Sequence, residues 1–161
     1  MSDTVSSGAP AASSSDDRNL AFLVYALLFC SPFLWGFTGL VGVVIAYVRR
    51  PETAGVIRSH YNFQIKAFWI SVILLAVAAV SFLFGMGVLF SDLFAAATNG
   101  GQGWDAWEAA AFDAEDLRFH GEMVIGFVVA AIFLVVSSLW LLASSLFGVA
   151  RLAGDNPVGR A

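Results

Sequence analysis

The sequence predicts an all-α, polytopic helical membrane protein: three transmembrane helices, the first kinked at Pro32, plus a short external amphipathic helix. Three observations carry that prediction. The first is composition, since the 161 residues are 59% hydrophobic and only 12% charged, where a soluble domain carries about 25% charged residues. The second is placement: residues 19–48, 67–91 and 123–150 contain no charge, in runs of 30, 25 and 28 residues. Each exceeds the roughly 20 apolar residues that a helix needs to cross a hydrocarbon layer of about 30 Å. The third is the clustering of basic residues on one side of those runs. This balance excludes an ordinary cytosolic enzyme domain.

Residues 1–18 hold Asp3, Asp16 and Asp17 against a single Arg18, with six serines. A secretory signal has a positive start, so this stretch reads as a disordered polar tail. Asp16 and Asp17 are helix N-cap candidates for the first span, residues 20–48. Pro32 lies inside that run, where it removes a backbone donor and crowds the carbonyl of Leu28, which predicts a kink over residues 29–32. Two half-helices meeting in a re-entrant turn are the alternative. Arg49, Arg50, Pro51 and Glu52 end the run, and Pro51 suits the first turn of a short helix through residues 53–60.

The second span covers about residues 65–90. The Gly-rich segment Asn99-Gly100-Gly101-Gln102-Gly103 then marks a flexible loop. From Trp104 to Phe119, Trp104, Trp107, Ala111, Ala114 and Leu117 fall on one helical arc and Asp105, Asp113 and Asp116 on the other. That is the pattern of a helix lying at a membrane surface, within an external loop of residues 91–122. The third span covers residues 123–150, the helical membrane domain as a whole residues 19–152, and residues 153–161 form a tail.

Arg49, Arg50, Arg58 and Lys66 lie between the first two spans and Arg151 and Arg160 after the third, six of the eight basic residues. The positive-inside rule places both segments in the cytoplasm. Three crossings then put the N-terminal tail outside; a re-entrant turn at Pro32 would put it inside. Tyr25, Tyr47 and Tyr61, with Trp69, Trp104 and Trp107, fall near span ends, where amphipathic rings are favoured. Trp35 and Trp140 fall near mid-depth and read as helix-packing residues. Cys30, the single cysteine, reads as a small packing residue.

No Asp, Glu, Lys, Arg or His lies inside the three runs, which argues against a proton-coupled pump. Asp116 and His120 at i, i+4, with Glu122 nearby, have metal-ligand spacing but read as a solvated acidic rim. His60 and Gln64 share one helix face, as do Asn62 and Lys66, and they read as an interfacial polar cluster with Lys66 reaching to water. No nucleophile accompanies His60 or Lys66, so no catalytic, cofactor or metal residue is expected. Gly42 and Ala46, Ser81 and Gly85, and Gly126 and Ala130 are each four apart, the spacing that lets helices approach closely. With Gly36 and Gly39 they predict a tight bundle, self-associated or docked on a partner.

The segment Val44-Ile-Ala-Tyr-Val-Arg-Arg, followed by Ser59-His60-Tyr61-Asn62-Phe63-Gln64-Ile65-Lys66-Ala67-Phe68-Trp69, resembles a family of uncharacterised small bacterial membrane proteins. That family is distantly grouped with the Tic-twenty component of the chloroplast inner-envelope translocon. The likeness rests on an apolar helix ending in basic residues, a short loop, and a His-aromatic-x-x-Gln opening to the next span. It implies a helical membrane fold and no activity. His60, Gln64, Lys66 and Trp69 are its interfacial motif positions.

Together these features lead to the expectation of a multi-pass protein of the bacterial inner membrane, with a cytoplasmic C-terminus. Its role would be that of a non-enzymatic accessory or assembly component. Its partners would be the lipid bilayer and a homo-oligomer or larger membrane complex, with no nucleic acid and no cofactor. A small passive channel or transporter is the alternative, motivated by Pro32 and the glycines near it.

Overall fold

The computed structural model describes residues 11–99 and 121–158, and among these every regular element is helical. Helix α1 spans Ala11–Cys30, a 3-10 turn Ser31–Phe33, α2 Phe37–Arg49, α3 Gly55–Asn99 and α4 Gly121–Ala153. The segment expected to form an amphipathic surface helix, together with Asp116 and His120, lies outside the described residues. Two helices are long and apolar enough to cross a membrane: α3 over Gly55–Ala95, and α4.

The first apolar run is not one kinked helix. It is two helices that fold back on each other, and the expectation of a single span kinked at Pro32 is corrected accordingly. Pro32 lies in the 3-10 turn that follows Cys30, where its missing N–H cannot continue the α-helical ladder. Trp35 and Gly36 then take positive φ, 53° and 83°. Two successive residues in the left-handed region turn the chain more sharply than a proline kink does. The Gly36 N–H donates to Ser31 O at 2.9 Å and closes the turn.

The pairing along the hairpin is antiparallel, with Gly39 against Ser31 and Gly42 against Val24 and Leu27. Two stripes of the same spacing interlock: Ala21, Val24, Tyr25 and Leu28 are buried on α1, and Gly39, Gly42, Val43 and Ala46 on α2. Glycine at 39 and 42 leaves room for the facing side chains, so the backbones pack closely. The hairpin tip is apolar and outward. Trp35 is 93% exposed beside exposed Phe33, Leu34 and Phe37, so Trp35 is not the packing residue its position in the run suggests. Cys30 is exposed as well, not packed.

Several boundaries also shift. Asp16 and Asp17 lie within α1, which is already helical at Ala11, so neither is its N-cap. Pro51 lies in a turn before Gly55, and the expected short helix over residues 53–60 is the opening of α3 itself. Thr53 closes the end of α2 by donating to the carbonyls of Arg49 and Arg50, both at 3.3 Å. Helix α3 continues past Ser91 to Asn99.

The chain divides into two compact units, Met1–Val72 with Ser137–Ala161, and Ile73–Val136. In the first, the hairpin packs on the opening of α3 and the end of α4 around Ala21, Val24, Tyr25, Leu28, Tyr61, Ile65, Phe68, Leu141 and Leu152. Within it α3 and α4 run antiparallel. Ser71 Oγ donates to Ser137 Oγ at 2.7 Å while Ser137 Oγ donates to Ser71 O at 3.1 Å, and Trp140 Nε1–H donates to Ala67 O at 3.1 Å. In the second unit the two helices meet through glycine: a Cβ at Gly126 would stand 3.0 Å from Gly85 Cα and 3.1 Å from Ser81 O. The rings of Phe82 and Phe127 meet edge to face beside this contact, 5.5 Å between centroids.

Candidate functional site at the opening of helix α3

The four interfacial positions divide between two faces of α3. His60 and Gln64, one turn apart, point inward and have no exposed surface, whereas Lys66 and Trp69 point outward. The spacing that joins His60 to Gln64 separates both from Lys66, because residues two and six apart do not share a helix face.

His60 is held from two sides. Its Nε2 lies 3.1 Å from the backbone carbonyl of Asn156, and its Nδ1 lies 2.9 Å from the Tyr25 hydroxyl. A carbonyl only accepts, so Nε2 carries the proton and donates, and Nδ1 is left to accept from the Tyr25 O–H. The neutral ring thus satisfies both contacts and needs no charge at this buried place. Tyr25 reaches it because α4 has no side chain at position 148, where a Cβ would overlap the Tyr25 ring.

The end of α4 supplies the carbonyl. Asp155 takes φ 53°, its N–H donates to Leu152 O at 3.2 Å, and the Asn156 N–H donates to Arg151 O at 3.0 Å. These are the two bonds of a Schellman termination. It turns the chain across the opening of α3, so that Asn156 O meets His60 and the Val158 N–H donates to Ser59 Oγ at 3.2 Å. Arg18 on α1 locks the same corner, donating to Leu152 O and Ala153 O at 3.4 and 3.3 Å and pairing with Asp155 at 3.2 Å. A cation over the last carbonyls of a helix also complements its dipole.

Gln64 extends the network one turn further, its Nε2–H donating to Ala21 O at 2.9 Å. Tyr61 O–H donates to Asp17 O at 3.3 Å. Gln64 Oε1 and Ser145 Oγ are buried without a hydrogen-bond partner among the described residues. The cluster therefore ties α1, α3 and the segment after α4 by polar contacts. Ser59, from the same segment as His60, and Tyr25, Asn156, Arg18 and Gly148 complete it, and none of the last four carries a sequence signal that joins it to His60. The nearest hint is the lone Tyr within the apolar stripe of α1, since a buried phenol calls for a partner.

On the outer face Trp69 Nε1–H donates to Tyr47 OH on α2 at 2.9 Å, both rings exposed. Among the described residues no group of three His, Cys, Asp or Glu side chains could hold a metal ion.

Among the described residues the fold is all-helical, two helices are long and apolar enough to cross a membrane, and a buried polar cluster lies where α1, α3 and the segment after α4 meet. No family model, no curated protein and no solved structure matches the chain.

Proposed function

We propose that this is a multi-pass protein of the bacterial inner membrane that acts as a non-enzymatic accessory or assembly component, of the kind its His60 to Trp69 segment resembles. The observation that carries the reading is the use made of His60 and Gln64. Both ring nitrogens of His60 and the Nε2 of Gln64 are spent on contacts that join three segments of the chain, while the outward faces of α3 and α4 present Ile73, Val80, Leu83, Val128, Ile132 and Leu139. Chemistry-bearing side chains that serve the fold, inside an apolar exterior, suit a protein that works through its presence in a bilayer. The small residues Gly42, Gly85 and Gly126 are occupied by contacts within the chain, so association would use the outer apolar surface.

In this reading α3 and α4 cross the bilayer and the α1–α2 hairpin enters it from one side. Helix α2, 13 residues long, reaches about 20 Å, short of the roughly 30 Å hydrocarbon layer. The hairpin returns to the side it left, which carries Arg18 together with Arg49, Arg50, Arg58 and Arg151. By the positive-inside rule that side is cytoplasmic, and the N-terminal segment lies there rather than outside.

Two experiments test this. In a Cys30→Ser background, Ser6→Cys and Ala54→Cys should both be shielded from an impermeant thiol reagent added to intact cells, and Gln102→Cys should be labelled. Labelling of Ser6→Cys with protection of Ala54→Cys would restore a first span that crosses. Native mass spectrometry from mild detergent should show a homo-oligomer or a stoichiometric membrane partner; a strictly monomeric, partner-free protein would overturn the assembly role.

A further inference from the structure

Among the buried polar residues of this corner, His60 is the one whose charge can change between pH 5 and 8. It precedes the charge-free run 67–91, at the polar end of α3. Its two partners have fixed roles: Asn156 O accepts from Nε2 at 3.1 Å, and the Tyr25 O–H donates to Nδ1 at 2.9 Å. A proton on Nδ1 would set donor against donor, so the Tyr25 hydrogen would have to leave this bond. The added charge would also sit on a ring with no exposed surface, and a buried charge is costly unless it is paired. No pairing group is at hand among the described residues. Helix α1 brings Tyr25 and Arg18, α4 brings Arg151, and the segment after α4 brings Asp155, which Arg18 already holds at 3.2 Å. Arg151 is close enough to repel a charge on the ring. On α3 the neighbours are Arg58 and Tyr61; Asp17 on α1 accepts from Tyr61 at 3.3 Å through its backbone carbonyl and forms no ion pair with His60.

Two segments cover the ring, and they are held unequally. Helix α1 is fixed in the hydrophobic core through Ala21, Val24, Tyr25 and Leu28. Residues 155–158 form a thin cover, in which Asp155, Asn156 and Pro157 are exposed and only Val158 is buried. Its hydrogen bonds to α3 are the one from His60 and the one from the Val158 N–H to Ser59 Oγ at 3.2 Å. We propose that residues 155–158 are an acid-released latch: protonation of His60 lifts the segment from the opening of α3, which gives the imidazolium to water while α1 stays packed. A short segment of this kind opens locally, without unfolding of the helices beneath it. The open state binds a proton from about pH 6.5 downward, the ordinary range of a hydrated imidazole, and the closed state has no place for it. Opening therefore becomes more favourable as pH falls below that point, by a factor approaching tenfold per pH unit, and above it the latch is closed at all pH values.

The test is amide hydrogen exchange of the full-length protein in mild-detergent micelles at pH 7.5, 6.5 and 5.5, each rate divided by that of an unstructured peptide at the same pH. Protection of the Val158 N–H should fall roughly fivefold between pH 6.5 and 5.5 and less than twofold between pH 7.5 and 6.5. Protection over residues 137–150 of α4 should stay constant. His60→Gln can still donate to Asn156 O but does not titrate, and should give one level of protection at all three pH values. Asp155→Asn, which leaves the imidazole in place, should keep the dependence on pH. In the unaltered protein the His60 ring, followed by its NMR shifts, should titrate together with the loss of protection at Val158. Level protection in the unaltered protein, a ring that titrates while Val158 stays protected, a dependence that survives in His60→Gln, or one that vanishes in Asp155→Asn would each overturn the latch.

Discussion

The ring of Tyr25 occupies the space that a side chain at Gly148 would fill, and from there its hydroxyl reaches His60 Nδ1 at 2.9 Å. A single missing Cβ on α4 thus allows a hydrogen bond between α1 and α3. Gly148→Ala should destabilise the protein by about 1–3 kcal/mol, the range for an overpacked interior. Gly87→Ala, which meets nothing within 4 Å, should show no loss. Unfolding in mixed micelles of mild detergent and dodecyl sulfate measures both.

The His60 bonds predict an asymmetry between its partners. Tyr25→Phe leaves a buried imidazole nitrogen without its donor and should cost about 1–3 kcal/mol in the same assay. Asn156→Ala should be close to neutral, because Asn156 accepts from His60 through its backbone carbonyl. Equal effects would mean that His60 reads the Asn156 side chain instead.

The hairpin turn depends on backbone conformation more than on packing. Nothing lies within 4 Å of a Cβ added at Gly36, yet its φ is +83°. Gly36→Ala should therefore cost about 1–2 kcal/mol, the penalty of a left-handed L-residue. Trp35→Gly, at φ 53°, should recover a similar amount of backbone strain. Hydrogen exchange at Leu34, Gly36 and Phe37, whose N–H groups close the turn, should quicken in the first variant and slow in the second.

In the unit Ile73–Val136 the contact between helices is backbone against backbone. Gly126→Ala should cost about 1–3 kcal/mol, because the opposing atoms are Gly85 Cα and N and Ser81 O, which cannot swing aside. Thermal denaturation in detergent, read against Gly87→Ala, separates this steric cost from any general effect of adding a methyl.

Much of this architecture can be read along the chain. The charge-free runs at 67–91 and 123–150 correspond to the bodies of α3 and α4, because excluding charge from some 25 residues is a strong local signal. The pairs Ser81 and Gly85, and Gly126 and Ala130, marked close-approach faces, and Gly85 and Gly126 do meet. The first run was ambiguous for a physical reason. A proline inside an apolar stretch breaks the helix, but whether the chain bends or reverses depends on the next few φ angles, and Trp35 is a poor advertisement for a left-handed residue.

The site was legible only in part. The i, i+4 spacing of His60 and Gln64 showed a shared face but not whether that face looked in or out. Local periodicity reports that residues lie together; burial is decided by what packs against them. Composition and charge placement by themselves predicted a helical chain with three apolar spans, of which the structure has the later two as long apolar helices, α3 and α4, since the exclusion of charge is a property of consecutive residues. Only the tertiary structure decided that the first run reverses at Gly36, that Gly148 admits Tyr25, and that the turn after α4 brings Asn156 to His60. The last two join residues 123 and 96 positions apart, and no pattern within a helix's own period encodes them.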